Sequence, residues 1–229
     1  MKKYLVSVAL LFLCFCGYSQ QLSQVTFSRE CGFLWFSLST NQNTLIRISN
    51  DGAVLEFGTE EHALYNSNYF AEALQPYTGR VDYYENNVDS AFRGKIKNIG
   101  TCFFTYYPSS DYPEKIGKIR SAGNLLFDYY NKFQDALIAG KIKSIGSNAI
   151  IYYNSFDDEA LKGKLQMVGN TPISYYTSFD NTLIKGKLKS IGSFKYTWYT
   201  SYDRQEFAGS LRSGSYRKLV NGITYIIQR

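Results

Sequence analysis

Tyr-Tyr pairs begin at residues 83, 106, 129, 152 and 175, Trp198-Tyr199 takes the sixth place, and every step is 23 residues. Two glycine series keep the same step. Gly94, Gly117, Gly140, Gly163, Gly186 and Gly209 form one, with a lysine after the first five. Gly100, Gly123, Gly146, Gly169 and Gly192 form the other. Three series in phase, with no insertion, define six tandem units over residues 83–220. A unit this short encloses no core of its own. It buries its apolar side only with its neighbours, so the array is quasi-one-dimensional and needs caps at its ends.

Each unit reads as two strands. Around residue 150 the first carries Ile150, Tyr152, Tyr153 and Phe156, and the second is "ALKGKLQMVG". Asp-rich connectors such as "DDE" lie between them, because Asp and Asn side chains satisfy turn backbone, and glycine closes the unit. Alternate side chains of a strand point to opposite faces. On that rule Ile150, Tyr152 and Phe156 share an apolar face with Leu161, Gly163 and Leu165. Tyr153, Lys162, Lys164 and Gln166 take the other face. Repetition then gives a row of Tyr84, Tyr107, Tyr130, Tyr153, Tyr176 and Tyr199, and a row of Lys95, Lys118, Lys141, Lys164 and Lys187. Val168 and the matching isoleucines break the alternation, which places the strand end before them.

The expected fold is all-β: hairpin units in an extended antiparallel meander. The alternative, a parallel β-solenoid with one unit per coil, takes three faces and more corner glycines than the unit supplies. The abundance of aromatics, with 21 Tyr and 16 Phe against 4 Pro, agrees with sheet. Residues 21–82 lie outside the repeat and read as a β-rich cap. Within it "VTFSRECGFLWFSLST" suggests a strand pair, "TLIRISNDGAVLEFG" a hairpin with Asn-Asp-Gly at its tip, and "EEHALYNSNYFAEAL" a short helix or a loop. Residues 221–229, "NGITYIIQR", read as a closing strand. The apolar sheet face must be covered by strong twist, by closure, or by the packing of residues 21–82.

Residues 1–20 read as a secretory signal peptide: "MKK", an apolar run, and small residues Gly17 and Ser19 before Gln20. Leu13 and Phe15 before Cys14 and Cys16 argue against a lipoprotein signal. The expected destination is therefore outside the cytoplasm, periplasmic or secreted, in a bacterium. No later stretch is long and apolar enough for a transmembrane helix. An outer-membrane barrel is disfavoured by units of identical length without long outer loops. Cys31 and Cys102 remain after the signal, and an oxidising compartment allows one bridge between them.

The period and the recurring Gly-Lys and Tyr-Tyr of residues 83–214 resemble the MORN-type and antitoxin-like β-hairpin repeat families. The likeness is architectural, and it implies an interaction or scaffolding surface.

Chemistry leaves few marks on the chain. His62 is the one histidine, beside Glu60 and Glu61, and nothing in the sequence pairs it with a nucleophile. Too few Cys and His exist for a zinc site. Asp157, Asp158 and Glu159 lack calcium-loop spacing and read as turn formers. Gly-Lys has no Ser or Thr after it and no earlier glycine, so it is not a phosphate loop. We expect no catalytic residue, no metal and no cofactor. Charge is uneven: residues 21–82 hold three Arg against seven acids, and residues 83–229 hold 20 basic against 12 acidic residues. The Tyr and Lys rows are the candidate binding face, since aromatic faces stack on sugars and lysine rows draw anionic partners. The expected role is an envelope scaffold contacting a protein or a polysaccharide, not nucleic acid. The alternative is a carbohydrate-binding module that takes acidic polysaccharide on the Tyr/Lys face.

Overall fold

The computed structural model describes residues 20–40, 44–60 and 73–228. Five strands come first: β1 (Gln21–Phe27), β2 (Phe33–Ser39), β3 (Leu45–Ile48), β4 (Val54–Thr59) and β5 (Gln75–Pro76). The repeat supplies β6 (Val81–Tyr83), β7 (Ile96–Ile99), β8 (Cys102–Tyr106), β9 (Ile119–Ala122), β10 (Leu125–Tyr129) and β11 (Ile142–Ile145). It continues through β12 (Asn148–Tyr152), β13 (Leu165–Val168), β14 (Thr171–Tyr175), β15 (Leu188–Ile191) and β16 (Phe194–Lys195). β17 (Thr197–Trp198) and β18 (Leu211–Ser213) pair with each other, and β19 (Arg217–Val220) and β20 (Ile223–Ile227) end the chain.

Strands β6 to β16 form one 11-stranded sheet in strict sequence order. Every neighbouring pair is antiparallel, so the array is the meander and not the solenoid. The second glycine series explains the tight ends of the hairpins. Gly100, Gly123, Gly146, Gly169 and Gly192 take φ of 55 to 57, and each opens the two-residue turn into the next unit. A side chain in that left-handed conformation is strained, which is why glycine recurs there. The other ends are long connectors. Residues 130–141 are one, closed where the Gly140 N–H donates to the Tyr130 carbonyl at 2.8 Å and the Tyr130 N–H donates to the Lys141 carbonyl at 2.9 Å.

A β-bulge stands at every Tyr pair. Ile151 lies opposite Met167 but Tyr152 lies opposite Leu165, so one residue of β13 is extra. Matching shifts occur at Tyr83, Tyr106, Tyr129 and Tyr175. The extra residue reverses the alternation, and both Leu165 and Val168 therefore face the core, fully buried. The strand does not end before Val168, as alternation alone suggests; it continues with a changed parity.

The apolar face is covered by the second sheet, seven strands in the order β19-β20-β1-β2-β3-β4-β5. Phe36, Ile46 and Ile223 from this sheet belong to one hydrophobic cluster with Ile150, Leu165 and Ile191 of the meander. Polar contacts fix the overlap. The Ile142 N–H donates to the Asn50 carbonyl at 2.7 Å, and Asn221 donates from Nδ2 to Thr171 Oγ1 at 3.0 Å. β3 and β4 form the hairpin expected around Asn-Asp-Gly, and β1 and β2 form the expected strand pair. The last strand, β20, joins this sheet rather than the meander, running parallel to β1. The meander is open, with β6 and β16 as its edges. His62, most of the "EEHALYNSNYFAEAL" segment, and residues 1–19 lie outside the described residues.

The expected Cys31–Cys102 bridge is not formed; both are free, buried thiols. Cys31 sits at the β1–β2 turn beside Leu188 of β15, whereas Cys102 opens β8. Seven strand steps separate β15 from β8, roughly 34 Å at the usual strand spacing, far beyond the reach of a disulfide. Burial pushes each thiol up to about 11.

Candidate functional site

The Gly-Lys lysines point along the array, from each unit into the next. Lys141 Nζ donates to the Gly163 carbonyl at 2.9 Å, Lys164 to Gly186 at 2.9 Å and Lys187 to Gly209 at 2.7 Å. Lys95 and Lys118 make the same bond to Gly117 and Gly140. Each ammonium also lies over the next unit's buried aromatic: 5.0 Å from the Tyr152 ring centre for Lys141, 4.8 Å from that of Trp198 for Lys187. The glycines at the receiving end share a left-handed backbone, with φ of 71 to 77 from Gly117 to Gly209. A Cβ on Gly140 would stand 2.7 Å from Lys118 Nζ, and its φ of 77 is itself left-handed. Burial lowers the pKa of Lys95, Lys118, Lys141 and Lys164. The lysine row is thus a set of joints between units.

The two tyrosines of a pair play different parts. From Tyr106 onward the first turns inward, and Tyr106 and Tyr129 donate their hydroxyls to the Ile96 and Ile119 carbonyls at 2.8 Å; Tyr83, on the edge strand, stays exposed, and the Tyr152 hydroxyl is buried without a partner among the described residues. The second is half-buried and reaches forward. Tyr84, Tyr107 and Tyr130 donate to the carbonyls of Phe104, Phe127 and Ile150 at 2.8, 2.7 and 2.9 Å, and Tyr153 and Tyr176 repeat the bond at 3.2 and 3.1 Å. Desolvation raises the pKa of Tyr84, Tyr107, Tyr130, Tyr153 and Tyr176.

A different basic row occupies the outer face. Lys97, Arg120, Lys143, Lys189 and Arg212, two residues after each Gly-Lys lysine position, lie 5.5 to 6.0 Å over Tyr84, Tyr107, Tyr130, Tyr176 and Tyr199. Alternation hid this pairing. It put the Gly-Lys lysine on the outer strand face, but that residue belongs to the connector, before the strand begins.

Among the described residues the most exposed aromatic side chains are elsewhere. Phe133, Phe156, Phe179 and Tyr202, one per unit, are 84, 96, 95 and 92 % exposed. Alternation places Phe156 inward with Ile150 and Tyr152; it sits instead on the rim of the connector turns. The turn chemistry around it was the available signal, since "NSFDD" puts Phe among residues that bond their own backbone. The Phe156 N–H donates to Asn154 Oδ1 at 2.8 Å, and the Asn154 N–H donates to Asp157 Oδ2 at 2.6 Å. The residue before the aromatic ties its turn to the previous unit. Ser155 donates from N–H and Oγ to Asp135 at 2.9 and 2.8 Å, and Ser178 does the same to Asp158 at 2.9 and 2.6 Å. Donation by Ser155 and Ser178 holds both carboxyls below the usual range. The aspartates are turn and rung formers. Among the described residues no group of three His, Cys, Asp or Glu is placed to hold a metal ion, and no helix is long and apolar enough to cross a membrane.

Two strands per unit set the aromatic rim at steps of about 9.6 Å. The four rings span three such steps, roughly 29 Å. No protein-family model, curated protein or solved structure matches the chain.

Proposed function

We propose that the protein is an exported, non-catalytic repeat scaffold that holds a partner at the cell envelope. One observation carries this reading: four unit-spaced aromatics stand almost fully exposed on turns that are tied to one another. The aromatic recurs exposed at one position of four successive units, and we read that regular spacing as a contact row. The MORN-type resemblance supports the same role, as does the signal-like start of the chain.

The test is retention of the purified protein on the producing cell's envelope fraction. Wild type is expected to be retained, and Phe156→Ala with Phe179→Ala to be released while melting as wild type does. Absence of wild-type retention, or retention indifferent to both substitutions, sinks the reading.

A second reading, binding of acidic polysaccharide, is favoured by the outer basic row over the tyrosines, Lys97 to Arg212, in place of the internal lysines. It differs in its salt response. Attraction to the outer row weakens sharply as salt rises, whereas contact through the rim does not.

A further inference from the structure

The rim aromatics differ from an ordinary apolar patch in three ways. They are isolated from each other, each separated from the next by hydrogen-bonded Ser, Thr, Asn and Asp side chains. They repeat at a fixed step. Their surroundings are acidic: residues 131–135, 154–158, 177–181 and 200–204 contain Asp135, Asp157, Asp158, Asp180 and Asp203 against Lys132 and Arg204. An apolar protein groove would want contiguous aliphatic surface, which this rim lacks. Anionic polymers and anionic lipid headgroups would meet like charge. A sheet of many strands also twists by about 20–25° per strand, so a flat bilayer meets such a ridge at one or two rings, while a linear chain follows it.

Pyranose rings supply the complementary chemistry. Their C–H faces stack on the electron-rich face of an aromatic ring, and their equatorial hydroxyls bond to neighbouring polar side chains. In an extended β-(1→4)-linked chain the same ring face recurs once per disaccharide, a repeat close to two strand spacings. We propose that Phe133, Phe156, Phe179 and Tyr202 form a stacking ladder for a neutral, extended β-(1→4)-linked polysaccharide, one ring to each disaccharide. This rests on the scaffold reading and names its partner. The ladder holds four rungs because the first two units carry Asn87 and Ser110 at the same position.

The experiment is co-sedimentation of the purified protein with amorphous, swollen cellulose and with swollen chitin, whose individual chains are free to follow the ridge, at low and high salt. Alginate beads and zwitterionic and anionic lipid vesicles run beside them. Retention on cellulose or chitin at both salts is expected. Phe156→Ala and Phe179→Ala should each weaken it about five- to tenfold. Leu219→Ala, an exposed side chain on β19 of the covering sheet, should leave it unchanged. Correctly folded protein that ignores both neutral polymers overturns the proposal, as does binding that the two Phe substitutions do not move, or retention confined to alginate or vesicles. If the envelope fraction still retains the protein through the rim while cellulose and chitin do not, the glycan assignment falls and the scaffold reading stands. If nothing retains it, both fall.

Discussion

The two sheets achieve the same burial by opposite means. In the meander each strand pairs with its neighbours in sequence, and the joints between units are copies of one another: a lysine to a glycine carbonyl, a tyrosine hydroxyl to a strand carbonyl. In the seven-stranded sheet one interior pairing joins the first described strand to the last, with Val25 opposite Tyr225. The meander is stabilised by many small repeated contacts, none of them unique. The covering sheet depends on one distant closure that nothing else duplicates. A repeat array can lose a joint and keep its neighbours, whereas a sheet closed by its last strand has no spare.

Removing that closure should have the largest effect. A chain ending at Asn221 lacks β20, which leaves β1 unpaired on one side and uncovers part of the meander's apolar face. We expect loss of cooperative unfolding and of amide protection in both sheets. Protection that persists in the meander would show that the two sheets are independent.

Alkali should separate the sheets next. Burial raises Tyr106, Tyr129, Tyr152 and Tyr175 of the meander above the ordinary 10.0, whereas the covering sheet contributes Tyr225, pushed up to about 12. A group with a raised folded pKa contributes stability that is complete below its unfolded value and is lost as pH rises above it. The buried thiols add the same sign from their ordinary 9.0. The inner lysines oppose it, because burial lowers their pKa, but the tyrosines shift further. Urea midpoints should hold level to about pH 9 and fall above pH 10, with amides of the repeat exchanging first. A midpoint unchanged to pH 11 would contradict this.

Glycine substitutions test the repeated joint itself. Gly140→Ala combines a left-handed φ of 77 with a 2.7 Å approach to Lys118 Nζ. It should lower stability by about 2 kcal/mol. Gly94→Ala has a similar φ of 69 but open space around the new methyl, so about 1 kcal/mol is expected. Equal losses would mean that the lysine yields without penalty.

The smallest contrast lies between two tyrosines in equivalent positions. Tyr129 donates to Ile119, whereas the Tyr152 hydroxyl is buried without a partner among the described residues. Tyr129→Phe should cost about 1 kcal/mol, and Tyr152→Phe should be neutral or slightly stabilising. Thermal melts of the two variants check this, and a reversed order would place an unseen acceptor at Tyr152.

The sequence made the meander legible because its information is local and repeated: period, turn glycine and paired aromatics all report on contacts 20 to 23 residues away. The hairpin tip at Asn50-Asp51-Gly52 was legible for the same reason. The faces were not. Simple alternation fails at the bulge beside each Tyr pair, and past it the reading inverts, sending Phe156 inward and Lys164 outward. Nor does any local pattern announce that Val25 lies beside Tyr225, since parallel pairing of distant strands leaves each strand looking ordinary. The roles of the Tyr and Lys rows were not legible either, because a lysine one residue short of a strand reaches along the array, whereas the basic residue two positions later lies over a tyrosine of its own unit.

The pairing of β1 with β20 also sets an order of events in the life of the chain. Translation delivers Tyr225, the partner of Val25, 200 residues after Val25 itself. Until then β1 has no neighbour on that side, and the layer that covers the repeats is incomplete. A nascent chain therefore stays unlocked from its first strand until every strand of the repeat has been made, and the pairing of β1 with β20 locks both sheets in one late step.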